Sequence, residues 1–143
     1  MLRKLLSIPG YTLTILVTLA IIYLTLVPKP LHDMEPKLFE DADKVVHALM
    51  FFGFAGSVGL DYLRSGRGHA IGELPTRTII LAVMLSIVFG GVIELAQGAM
   101  NMGRGEDIYD FLADVSGAVL SGVVMLTCRR SVFRWWWMPT HRK

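Results

Sequence analysis

The chain has a single cysteine, Cys128, in 143 residues, which excludes an internal disulfide and any zinc site built from several cysteines. Cys128 closes an apolar run, where a lone thiol packs as a small hydrophobe. Charge is also scarce: 18% of residues are Asp, Glu, Lys or Arg, against 53% hydrophobic. With a mean hydropathy of +0.52, the composition fits a chain that lives in lipid, not a soluble core. The net charge of +2 is too small to attract nucleic acid. No internal repeat, low-complexity tract, or recognised nucleophile or metal signature occurs. The length allows one domain, residues 1–143.

What the sequence does have is four apolar stretches, at 11–27, 45–63, 78–97 and 108–128. Each approaches the ~20 residues that a helix rising about 1.5 Å per residue needs to cross ~30 Å of hydrocarbon. The first, and the apolar part of the third from Thr78 to Leu95, are on the short side. A helix satisfies its own backbone hydrogen bonds, so runs of this kind are expected to be helical in lipid. The expected fold is therefore all-α: an integral membrane bundle of four transmembrane helices. Arg3 and Lys4 precede the first stretch as they would in a signal peptide. That stretch ends in Leu26-Val27-Pro28-Lys29-Pro30 without a small-residue cleavage site, so an uncleaved anchor is expected.

Lys and Arg in the short loops set the orientation. The N-terminus carries Arg3 and Lys4, the second loop Arg64, Arg67 and Arg77, and the tail Arg129, Arg130, Arg134, Arg142 and Lys143. The first loop balances Lys29 and Lys37 with acids, and the third has only Arg104 beside Glu106 and Asp107. Both termini are expected in the cytoplasm, with Trp135, Trp136 and Trp137 as an interfacial belt there. His32, His69 and His141 fall in loops or the tail, where solvation is the default.

This alternation brings three separate polar blocks to one outer end. Asp43, Lys44 and His47 open the second stretch, Glu94 and Gln97 close the third, and Arg104, Glu106, Asp107, Asp110 and Asp114 lead into the fourth. Asp43 and His47 are four residues apart, and Glu94 and Gln97 three. Asp107, Asp110 and Asp114 form one stripe that Gly117 and Ser121 continue, so helical spacing puts each set on one face. Small residues (Gly117, Ala118, Ser121 and Gly122) would let a neighbouring helix approach closely, as would Gly53, Gly56, Gly59, Gly90 and Gly91. Ionisable groups at membrane depth are costly and usually face a bundle interior or each other. Six acids against Lys44 and Arg104 leave a formal excess of negative charge, which calls for a proton, a cation or water.

The blocks Asp43-Lys44-x-x-His47, Gly91-x-x-Glu94-x-x-Gln97 and Arg104-x-x-Asp107-x-x-Asp110-x-x-x-Asp114-x-x-Gly117-Ala118 together resemble the VanZ-like membrane proteins. The resemblance covers roughly residues 11–127. It departs at Asp114, where the family pattern has Asn. The family takes its name from a member linked to resistance against teicoplanin, a lipid-tailed glycopeptide. The resemblance implies a protein of the bacterial cytoplasmic membrane acting at the cell envelope, with no defined reaction.

Several functions suit such a cluster. As a binding module, Lys44, Arg104 and His47 would hold an anionic head group, with Arg104 the best single candidate. The acids would take amines or sugar hydroxyls of a lipid-linked envelope precursor or a lipoglycopeptide. As an enzyme on a lipid-linked substrate, His47 with Glu94, Asp110 and Asp114 would supply acid–base or metal-ligand groups. One histidine among scattered carboxylates is a poor metal pattern, so no metal or cofactor is expected. A purely structural network is the bland alternative, but membrane hydrogen bonds average only ~0.6 kcal/mol each. Four short helices without broken repeats argue against a transporter acting as a monomer. The expected role is binding, with membrane lipids as partners and self-association left open.

Overall fold

In a computed structural model, residues 10–27, 42–65, 73–100 and 108–137 are described, with side chains described through Arg129. Among them are four helices and no strand: α1 (Thr12–Leu26), α2 (Ala42–Arg64), α3 (Thr76–Met100) and α4 (Ile108–Trp137). The last three are long and apolar enough to cross a membrane. The 15 residues of α1 reach only about 22 Å at ~1.5 Å per residue, short of the ~30 Å hydrocarbon.

The helix limits lie close to the apolar stretches but run past them at polar ends. Helix α2 begins before Val45, so Asp43 sits in its first turn. Helix α4 continues through Trp137, because nothing before Pro139 interrupts it. Val27, the residue before Pro28, is extended (φ −81°, ψ 126°) and ends α1 as the proline ring demands.

The outer surface is aliphatic and the interior is largely polar or small. Ile80, Leu81, Met84, Val88 and Leu95 of α3, and Leu112, Leu120 and Val123 of α4, are exposed. Thr25, His47, Ser57, Asp61, Ser86, Glu94, Gln97, Asp114 and Ser121 are buried. This reverses the usual order of a water-soluble domain and suits lipid as the solvent. Buried hydroxyls settle locally: Ser57 donates to the Phe54 carbonyl, Ser86 to Ala82 and Thr25 to Ile21.

Helices α2 and α4 make the most extensive contact. The buried stripe of α4 is Asp114, Gly117, Ala118, Ser121 and Gly122, as the spacing predicts. Gly117 lies against the Ala48 backbone of α2, and a Cβ there would overlap the Ala48 carbonyl. Gly56 faces Ser121, but a Cβ at Gly53 would meet nothing among the described residues, so Gly53 contributes no helix contact there, which corrects its expected role. Gly53 and Gly59, six residues apart at ~3.6 residues per turn, are separated by about 120° around the helix, so a contact that takes in Gly59 and Gly56 leaves Gly53 at its edge.

Two layers fill the space between the helix ends. Ile21, Phe51, Phe54 and Ile93 form one core, with Phe89 packed beside them. Phe54 and Phe89 lie with ring centroids 5.1 Å apart. Leu63, Leu74 and Ile79 form the second core toward the other end, with Tyr62 and Met125. An apolar cavity of about 180 Å³ between Gly56, Gly59, Leu63, Leu74, Ser121 and Met125 belongs to that half.

Candidate functional site

The first two turns of α2 and α4 and the last two turns of α1 and α3 meet at one end of the bundle. His47 stands at its centre, only 3% exposed. Its Nδ1 lies 3.0 Å from Asp114 Oδ1 of α4 in a hydrogen bond. The same nitrogen is 4.0 Å from Glu94 Oε1 of α3. Asp114 is wholly buried and Glu94 is 7% exposed. Three helices therefore each deliver one ionisable group to one point.

Local packing makes room for this. Asp114 Oδ2 rests against Gly90 of α3, where a Cβ would come within 3.0 Å of that oxygen. The Phe51 ring approaches the same glycine, so the aromatic core adjoins the carboxylate directly. Oδ2 accepts no hydrogen bond among the described residues. A buried polar atom without a partner is rare and costly in native structures.

Nearer the surface, Asp43 is exposed and Asp110 is half-buried, both beside His47. Two donor groups of metal-ligand type result: Asp43, His47 and Asp110 outside, and His47, Glu94 and Asp114 inside. In each, the donor atoms lie within 4.8 Å of one another. His47 belongs to both.

Gln97, one turn beyond Glu94 on α3, reaches α1. Its Nε2 donates to the Thr25 carbonyl of α1 at 3.1 Å. Carbonyls in the last turn of a helix lack intrahelical partners, and Thr25 lies two residues before Val27, the extended cap of α1. Helix α1 is thereby tied to the polar end, which sequence spacing does not reveal. Lys44 is half-buried on α2. Arg104, Glu106 and Asp107 lie outside the described residues, so of the expected cluster the structure brings together Asp43, His47, Glu94, Asp110 and Asp114.

A second polar group, at the opposite end, forms around Asp61, which interrupts the apolar 45–63 stretch. Asp61, buried in α2, accepts from the Thr14 amide at 2.8 Å and the Thr14 hydroxyl at 2.9 Å. Arg64 Nη1 donates to its other oxygen at 3.3 Å. Tyr11, at the N-cap of α1, makes no side-chain cap bond, so Asp61 does from a neighbouring helix what an N-cap side chain does locally. The signal was a lone acid in an apolar run with an arginine three residues on. Compared with known family models, curated proteins and solved structures, the chain finds no match.

Proposed function

We propose that this chain is a cell-envelope protein of the bacterial cytoplasmic membrane, with both termini cytoplasmic. At its outward-facing end it binds the polar part of a lipid-linked or lipid-tailed molecule. One observation carries this reading: a graded column of ionisable side chains, exposed at Asp43, half-buried at Asp110, and buried at His47, Glu94 and Asp114. Such a column offers a head group a path from the interface into the bundle. The aliphatic outer walls would keep an attached tail in hydrocarbon.

Arg64, Arg77 and Arg129 occupy the opposite end of the helices, as the positive-inside bias requires of a cytoplasmic face. The resemblance to the VanZ-like pattern supports the same role and adds glycopeptides of the teicoplanin type to the candidate ligands. Lys44 and Arg104 would meet anionic groups, and the acids would meet amines and sugar hydroxyls.

The test is teicoplanin and vancomycin susceptibility in cells lacking their own copy. Wild type is compared with Glu94→Gln and Arg104→Ala at matched membrane levels. Wild type is expected to shift teicoplanin susceptibility and both variants to lose that shift. Variants that accumulate normally and behave as wild type would sink the reading.

One contact favours a second reading, an enzyme that hydrolyses or transfers a group on a lipid-linked substrate. A carboxylate bonded to one imidazole nitrogen, as Asp114 is to His47, can orient the ring for acid–base work. Turnover of a lipid phosphate ester by purified protein, lost in His47→Gln, would move the site from binding to catalysis.

A further inference from the structure

We propose that His47, Glu94 and Asp114 form a binding site for one divalent transition-metal cation of the Zn²⁺ class, loaded past Asp43 and Asp110. The inference deepens the binding reading and rests on it only for what the bound cation grips.

Distance is the first argument. An ion about 2.1 Å from each donor requires donors no more than ~4.2 Å apart. His47 Nδ1 lies 3.0 Å from Asp114 Oδ1 and 4.0 Å from Glu94 Oε1. One donor atom from each of the three residues lies within 4.8 Å of the others, so rotamer adjustments of about half an ångström would close the set. A nitrogen and two carboxylates suit Zn²⁺ or Mn²⁺ better than Ca²⁺, which prefers oxygen alone. Three protein ligands also leave a coordination position free.

The state of Asp114 points to a cation independently of those distances. Asp114 is 0% exposed, and its Oδ2 is buried without a hydrogen bond among the described residues. Asp61, the other fully buried acid with described bonds, has both oxygens engaged. A carboxylate held this deep, with half its acceptor capacity unused, is matched by a cation. When the metal binds, Nδ1 gives its lone pair to the ion and the proton of the His47–Asp114 hydrogen bond leaves to water.

The remaining argument concerns access. The outer donor group shares His47 with the inner one, so Asp43 and Asp110 form a negatively charged entrance that ends at the site. A cation there, with a free position, would coordinate a phosphate or carboxylate of a head group directly.

The experiment uses the full chain in detergent, stripped with a chelator and titrated with Zn²⁺ and then Co²⁺ without added lipid or antibiotic. Wild type is expected to bind about one ion per chain, to unfold at a higher temperature when loaded, and to show a Co²⁺ absorption spectrum in the visible. Asp114→Asn and Glu94→Gln, each checked for helix content and monodispersity, should weaken binding at least about tenfold. Absence of binding by wild type, or unaltered binding by a folded variant, overturns the proposal. The same variants separate the two readings. Metal binding without any effect on susceptibility upholds the site and sinks the envelope role. An effect on susceptibility without metal binding does the opposite.

Discussion

The two ends of the bundle solve the same problem in opposite ways. At one end Asp61 is buried with three donors around it: the Thr14 amide, the Thr14 hydroxyl and Arg64. At the other end Asp114 is buried with one described bond, to His47, and Oδ2 takes none among the described residues. Both acids sit in helices that otherwise present aliphatic side chains to the outside. A satisfied buried acid holds helices together; an incompletely satisfied one keeps capacity for something else. On this difference rests the proposal that Asp114, unlike Asp61, serves a ligand.

The largest expected effect tests what both ends share. Gly117→Val puts a branched side chain against the Ala48 backbone and should separate α2 from α4, abolishing accumulation of folded protein. Normal yield and unfolding temperature would show that the helices need not approach so closely.

Substituting each of the two acids tests whether the ends differ in this way. Asp61→Ala leaves the Thr14 amide and Arg64 without their acceptor, at a cost of about 2–4 kcal/mol in denaturant unfolding. Asp114→Asn in the metal-free protein should stay within about 1 kcal/mol of wild type, because one member of that pair is already poorly satisfied. Equal losses at both ends would erase the distinction.

The smallest effect has the opposite sign. Gly53→Ala adds a methyl group where nothing lies within 4 Å and should stabilise α2 by about 0.5–1 kcal/mol. A loss there would mean that a surface unrelated to either polar end is packed against something.

Much of this was legible in the sequence because helical periodicity is a local property. The stripe Asp110, Asp114, Gly117 and Ser121 follows from spacing alone, as does the pairing of Asp43 with His47 on one face. Antiparallel alternation of apolar runs then carries Glu94 to the same end. Partners across helices were not legible. Asp61 and Thr14 are 47 residues apart, and nothing in either segment marks the other. Gln97 was set among the acids, but its acceptor is a backbone carbonyl, and every residue has one of those. The glycines at 53, 56 and 59 looked alike in sequence, and only the turn of the helix sends Gly53 outward.

The bond from Asp61 to the Thr14 amide also bears on how the chain is made. Helix α1 leaves the ribosome before α2, short and with an amide in its first turn that has yet to meet its acceptor. That acceptor is synthesised 47 residues later, near the end of α2. The first helix therefore reaches its final state only once the second has been delivered beside it. The pair, rather than the single helix, is the unit that biogenesis must insert.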